Sequence, residues 1–297
     1  MSEVPAELAR RLHEDILTWY AGHARSLPWR DPQCSPWGVL VSEVMAQQTP
    51  LARVEPVWRA WLARWPTPEA LAAESPGEAV RAWGRLGYPR RALRLHQAAV
   101  VLRDRFGGEV PRGEADLRSL PGVGGYTAAA VAAFAFGERT VVVDTNIRRV
   151  LTRVIDGQEH AAPTLTAAEV ALAGALVPQD AARSAVWNVA VMELGALVCG
   201  ARAPACERCP VSASCAWLVA GRPAYSGPPR RGQGYQGTDR KVRGDILHLL
   251  RESVGALPRA AFAVTDPDPR RVDRLIGALI EDGLLEPWAD GTYRLPR

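Results

Sequence analysis

The sequence predicts a mainly α protein that ends in a small winged-helix-like unit, and three observations lead there. The first 220 residues read as alanine- and leucine-rich amphipathic runs, broken at short intervals by proline and glycine. Residues 221–237, GRPAYSGPPRRGQGYQG, have the composition of a linker. Beyond them, Val242, Ile246, Leu249 and Leu250 mark one amphipathic helix, and Val272, Leu275, Ile276, Leu279 and Ile280 mark another. Leu284 and Leu285 follow, then the turn Ala289-Asp290-Gly291, then Tyr293 and Leu295 in strand-like alternation, which together predict a hairpin.

A chain of 297 residues with 47% apolar content can bury a substantial core in one or two domains. Its N-terminal stretch AELARRLHEDILTWY carries charges throughout, so it neither spans a bilayer nor acts as a signal; a cytoplasmic protein without a membrane partner is expected. The net charge of +4 and pI near 9.0 permit nucleic-acid binding without requiring it. Arg81, Arg85, Arg90, Arg91 and Arg94 crowd one segment and Arg148, Arg149 and Arg153 another. Either group can meet phosphate or form a solvated helix face. A single lysine, Lys241, serves the whole chain.

Taken in order, Val57, Trp58, Trp61, Leu62 and Trp65 sit at helical spacing and read as a core face. Residues 117–131, LRSLPGVGGYTAAAV, place a glycine turn between two helices. Pro121 is expected to end the first helix, and Gly122 and Gly124 to take backbone geometry closed to other residues. The second helix then opens on bare amides that can hold a phosphate oxygen together with a monovalent cation. Such a helix-hairpin-helix grips backbone rather than sequence. Thr140 to Val143 looks extended and ends at Asp144, which opens the next helix.

Two carboxyls stand out by environment. Glu43 lies in VLVSEVMA, where helical spacing sets Val39, Leu40 and Ala46 beside it and favours the neutral acid. Asp144 sits at a helix start, which doubles as an N-cap and favours the anion. Such a pair suits an acid and a charge stabiliser working together. Finally, Cys199, Cys206, Cys209 and Cys215 follow the spacing C-x6-C-x2-C-x5-C in a loop stiffened by Pro204 and Pro210. That spacing departs from paired zinc knuckles, and the clustering in a long chain departs from a disulfide framework; iron and sulfur fit better. Cys34 stands apart as a packed residue.

LPGVG followed by VDTN and then the four-cysteine loop resembles the helix-hairpin-helix DNA glycosylase superfamily that includes endonuclease III. Within it, SEVMAQQT at 42–49, LPWR at 27–30, LGY at 86–88 and MELGALVC at 192–199 are similar to the adenine-specific, MutY-like branch; the likeness covers residues 8–220. It implies a two-lobed fold: residues 1–29 and 138–220 as a lobe carrying a [4Fe-4S] cluster, and 30–137 as a six-helix lobe with the hairpin. A linker over 221–237 and the separate unit 238–297 would follow.

The resemblance also implies roles. Glu43 would protonate N7 of an adenine and later assist water, Asp144 would stabilise the sugar cation, and Tyr126 and Asn146 would position them. Tyr126 stands where strand-cleaving relatives carry a nucleophilic lysine, so the reaction would be simple hydrolysis. Tyr88 would wedge into the base stack, Gln48 would probe the gap, and Arg25, Trp29, Arg30, Leu51 and Glu193 would line the base pocket. The cluster loop would present Arg202 and Arg208 to phosphate. The implied partner of this monomer is duplex DNA holding adenine opposite 8-oxoguanine or guanine.

The sequence departs from that branch in three places. Thr145 replaces a glycine, Pro89 replaces a second tyrosine, and the usual C-terminal domain for 8-oxoguanine, with its F-S-H motif, is replaced by some sixty residues. A thymine or uracil mismatch glycosylase is the near alternative, and a non-enzymatic iron-sulfur DNA-binding regulator the distant one.

Overall fold

The computed structural model describes residues 4–227, 234 and 236–297; positions 228–233 and 235 of the expected linker lie outside the described residues. The helices are α1 (Ala6–His23), α2 (Pro36–Ala46), α3 (Leu51–Arg64), α4 (Pro68–Ala72), α5 (Pro76–Trp83), α6 (Arg90–Phe106) and α7 (Glu114–Arg118). They continue as α8 (Gly125–Phe136), α9 (Thr145–Leu151), α10 (Ala167–Leu176), α11 (Ala181–Leu197), α12 (Ala216–Val219), α13 (Asp239–Glu252) and α14 (Pro269–Glu281). Among the described residues, sheet is confined to the C-terminus, where β1 (Leu257–Pro258), β2 (Glu286–Pro287) and β3 (Thr292–Arg294) pair antiparallel in the order β1-β3-β2. Thr140 to Val143 is therefore an unpaired connection, not a strand.

The chain divides into two compact units. The first gathers Met1–Pro32, Arg112–Glu114 and Gly124–Pro229. Its core joins Leu12 and Ile16 of α1, Ala129, Ala130 and Ala133 of α8, Ile147 and Val150 of α9, and Trp187, Val191 and Leu194 of α11. Each buried leucine or isoleucine contributes roughly 1.5–3 kcal/mol. α8 is alanine-rich and buried along most of its length, so its small side chains let neighbours pack close. Here the boundary expected at residue 138 moves, because α8 belongs with this unit rather than with the other.

The second unit gathers Gln33–Pro111, Ala115–Val123 and Arg230–Arg297. α2 is buried on every face from Trp37 to Met45, Ser42 and Glu43 included, as a helix apolar nearly all round must be. Trp61 meets Trp65 and Trp83 edge to face at 4.7 and 5.8 Å, and Trp58, Trp61 and Trp65 are buried as their spacing predicts. The C-terminal residues form a helix, strand, helical turn, helix and hairpin around Val242, Ile246, Phe262, Val272, Leu275 and Leu279. Leu247 is buried where Leu249 was expected, and Ile280 is exposed. Asp290 takes a left-handed φ of 56° in the hairpin turn. These residues belong to the same compact unit as α2–α6 instead of forming a separate domain.

Candidate active site and nucleic-acid interface

The start of α9 holds the better-defined carboxyl. Asp144 is its N-cap: Oδ1 accepts the Ile147 N–H at 2.7 Å, and Oδ2 accepts the Asn146 side-chain amide at 2.7 Å. Asn146 Oδ1 in turn accepts from Arg149 at 2.7 Å, and Arg149 also donates to the carbonyls of Gly195 and Cys199, each at 2.7 Å. Burial pushes the Asp144 acid above its usual range, while the Ile147 and Asn146 bonds and the Arg149 charge pull the other way. This corrects the expectation that a helix start would favour the anion: desolvation outweighs the amides. Tyr126, half-buried on α8, packs against the core that also contains Ile147.

Glu43 stands buried on α2 in the second unit, flanked by buried Val39, Leu40 and Val44, with Ala46 only half-buried. Just past α2, Gln48 is exposed with a left-handed φ of 53°, and Tyr88, 45% exposed, has φ 47°. Non-glycine residues in this region mark strain that surroundings must hold. Arg91 is what holds them. Its buried guanidinium donates to the carbonyls of Val44 (2.9 Å), Met45 (3.0 Å), Gln47 (2.5 Å) and Gly87 (3.1 Å) and to Thr49 Oγ1 (2.9 Å). It thereby ties the loop of Gln48 to the loop of Tyr88. Burial lowers its basicity to about 10.

In the first unit, Cys199, Cys206, Cys209 and Cys215 line one cavity with Val150, Val198, Val211 and Trp217. None is in a disulfide. Among the described residues no three His, Cys, Asp or Glu side chains are placed to grip a single metal ion. The thiols share an apolar space. Burial, together with the neighbouring thiols, raises the Cys209 thiol to about 11. α9 runs on into a π-helical turn, Thr152–Asp156, that carries Arg153 to this cavity. Arg153 donates to Cys199 Sγ at 3.3 Å and to the Gly200 carbonyl at 2.8 Å, and lies over the Trp217 ring at 4.7 Å.

The family model of the HhH-GPD superfamily of base excision DNA repair proteins matches residues 41–172. An adenine DNA glycosylase of Mycolicibacterium smegmatis is 49% identical over 95% of this chain and 94% of its own length. One from Mycobacterium tuberculosis is 48% identical over 95% of this chain and 92% of its own length. The chain belongs to the adenine DNA glycosylase family. A human member is 42% identical over 67% of this chain and 38% of its own length. Among solved structures, a thermostable thymine-DNA glycosylase superposes with TM-score 0.64 at 29% identity, covering 72% of this chain and 98% of that one. An endonuclease III–DNA complex at 23% identity and TM-score 0.63 shares the fold. The chain is thus a base-excision DNA glycosylase, a hydrolase of N-glycosyl bonds.

Among the residues expected to line a base pocket, Arg25 clamps Glu193 with Nε and Nη2 at 2.7 Å each, adds its backbone N–H at 2.9 Å, and Arg30 joins at 2.8 Å. Burial works against the Glu193 anion, but the Arg25 and Arg30 bonds outweigh it and hold the acid at about 2. Trp29 is buried in the same unit between these arginines in sequence, whereas Leu51 opens α3 in the other. At the hairpin, Gly122 has φ 81°, and a Cβ there would meet Arg94 Cβ at 2.8 Å. Gly124 does not need to be glycine: its φ of −89° and ψ of 179° are open to any residue, and a Cβ there meets nothing within 4 Å. It caps α8 without a side-chain bond, leaving that helix start to other acceptors. α7 ends at Arg118, before Pro121.

At least five of the eight clustered arginines turn out structural, Arg81 among them through the carbonyls of Leu250 and Ser253. Arg91 and Arg153 are buried, Arg149 bonds carbonyls, and Arg148 pairs with Glu169 at 2.8 Å and donates to the carbonyls of Ala162 and Thr164. Sequence reasoning passed over Arg91 as a positioning group. The available signal was its place at helical spacing with buried Leu95, Ala98 and Leu102 on α6, where a surface arginine would not fall.

Proposed function

We propose that the enzyme hydrolyses the N-glycosidic bond of adenine mispaired with 8-oxoguanine or guanine in duplex DNA, leaving free adenine and an abasic site. The carrying observation is Asp144, whose two oxygens are both fixed by donors from its own helix start. A carboxylate held this way faces a developing sugar cation without reorganising as the bond breaks. Glu43 gives its proton to N7, electrons of the C1′–N9 bond move onto the base, and water adds to C1′ as Glu43 takes a proton back. Asn146 orients Asp144 directly. Tyr126 occupies the position of the lyase lysine, and the lone lysine, Lys241, stands in the C-terminal unit, so hydrolysis rather than Schiff-base cleavage fits. Gln48 and Tyr88 open the stack, and Arg25, Trp29, Arg30, Leu51 and Glu193 receive the base. The start of α8 takes a phosphate with a monovalent cation.

The four cysteines fit a [4Fe-4S] cluster: four sulfur donors line one apolar cavity, the donor set that such a cluster takes. When bound, it supplies structural order to residues 199–215, with Arg202 and Arg208 exposed toward phosphate. The protein acts as a cytoplasmic monomer. Likeness to the thymine-DNA glycosylase favours T:G or U:G mismatches as a second reading. Excision from matched duplexes carrying A:8-oxoguanine, A:G, T:G and U:G decides between them: release of adenine from the first two is expected, and cleavage of T:G or U:G alone overturns the adenine assignment.

A further inference from the structure

The C-terminal residues are fastened to both helices that bracket the Tyr88 loop. The last turn of α13 leaves carbonyls without intrahelical partners, and Arg81 of α5 donates to those of Leu250 at 3.2 Å, Arg251, and Ser253 at 3.0 Å. Arg251 returns a bond to the Val80 carbonyl at 3.0 Å, and the Gly77 N–H donates to the Pro296 carbonyl at 2.8 Å. Asp282, just past α14, receives Arg90 of α6 at 3.1 Å and also Arg243.

At its other end, the first turn of α13 brings Arg240 Nη1 within 3.5 Å of Tyr88 Oη. Arg85, Arg90 and Arg240 are all exposed on the segments meeting here. Arg240 also donates to the Gly234 carbonyl at 3.4 Å. An exposed aromatic ring rimmed by guanidiniums is chemistry for stacked bases and backbone phosphate. A helix-turn-helix reading would send α14 into the groove instead. Yet Arg271 is tied to Asp239 and Asp266, and Arg274 to Asp239, each at 2.9 Å.

We propose that the C-terminal unit is a phosphate clamp beside the wedge: Arg240 takes a DNA backbone phosphate flanking the base pair that Tyr88 opens, and holds Tyr88 in its outward pose. The clamp rests on the base-opening role given to Tyr88 above. It is tested on full-length protein with a fluorescent duplex carrying an uncleavable 2′-fluoro-adenosine opposite 8-oxoguanine, titrated from 50 to 200 mM NaCl, with 2-aminopurine beside the mismatch in a parallel set. Arg240→Ala raises Kd about tenfold, flattens the slope of log affinity against log salt by about 0.9, and lowers the 2-aminopurine signal, as expected for one lost phosphate contact. Arg240→Gln, which keeps a donor for the Tyr88 hydroxyl, guards against a folding failure and loses the same salt slope. Arg270→Ala on α14 changes nothing. Wild-type Kd and slope in both Arg240 variants, or a loss produced by Arg270→Ala, overturns the clamp. Adenine release by the wild type from the cleavable duplex is scored separately, so failure of the proposed reaction and failure of the clamp give different results.

Discussion

In the proposed reaction Asp144 serves the backbone and the chemistry together, since the bonds that cap α9 are those that hold its carboxyl in place. Its acid is raised by burial, so the folded protein binds a proton there that the unfolded chain has already released. Stability from this group is therefore fully present below the ordinary carboxyl range and is lost as pH rises through the folded value, while activity runs the opposite way. Excision in single turnovers is expected to fall on acidification with a limb above the ordinary 3.8. Asp144→Asn, measured alongside, should lose at least about 100-fold in rate and no longer show that site's share of the stability lost in urea denaturation as pH rises above the ordinary 3.8. Glu43→Gln removes the proton donor but little volume. Single-turnover assays should show a loss of about 100- to 10,000-fold, with duplex affinity unchanged by anisotropy.

At the scale of elements, two loops depend on one guanidinium. Arg91 sits where the C-terminal end of α2 leaves carbonyls unpaired, a favourable place for a cation. From there it reaches the segment before Tyr88. Arg91→Met keeps the stem and strands the acceptors. The urea midpoint should show about 3 kcal/mol lost, and hydrogen exchange should speed up at residues 47–49 and 87–88 more than in α3. Glu43 on an apolar run, Asp144 at a helix start and the tryptophan face of α3 were legible in sequence, because each depends on spacing within one helix. The arginines were not. RRALRLHQ and TNIRRVL look like basic surface, and only packing from other segments turns Arg91, Arg149 and Arg153 inward to carbonyls and a thiol. Gly124 was misread for a similar reason: a glycine pair does not say which member carries the left-handed φ.

For the whole molecule, the informative departure is where the C-terminal residues go. Linker composition argued for a separate domain, but Arg81, Arg251 and Gly77 bind them into the unit of α2–α6. Gly77 is the tight point, since an added Cβ would lie against the Pro296 carbonyl oxygen and within 3.0 Å of Leu295 Cβ. Gly77→Ala should loosen that seam. Limited proteolysis near residue 237 should quicken, and the melting temperature should fall by about 2–4 °C for each kcal/mol lost.

The sequence by itself singled out the groups to which the proposal gives the chemistry: the two carboxyls, Tyr126, the hairpin and the four thiols, all set by residue type and short-range spacing. Tertiary structure alone decided that desolvation would outweigh the amides at Asp144, that Arg81, Arg91, Arg148, Arg149 and Arg153 would serve as internal ties, and that the chain's last sixty residues would join the second unit. Those outcomes depend on burial and on partners distant in the chain, which local pattern does not encode.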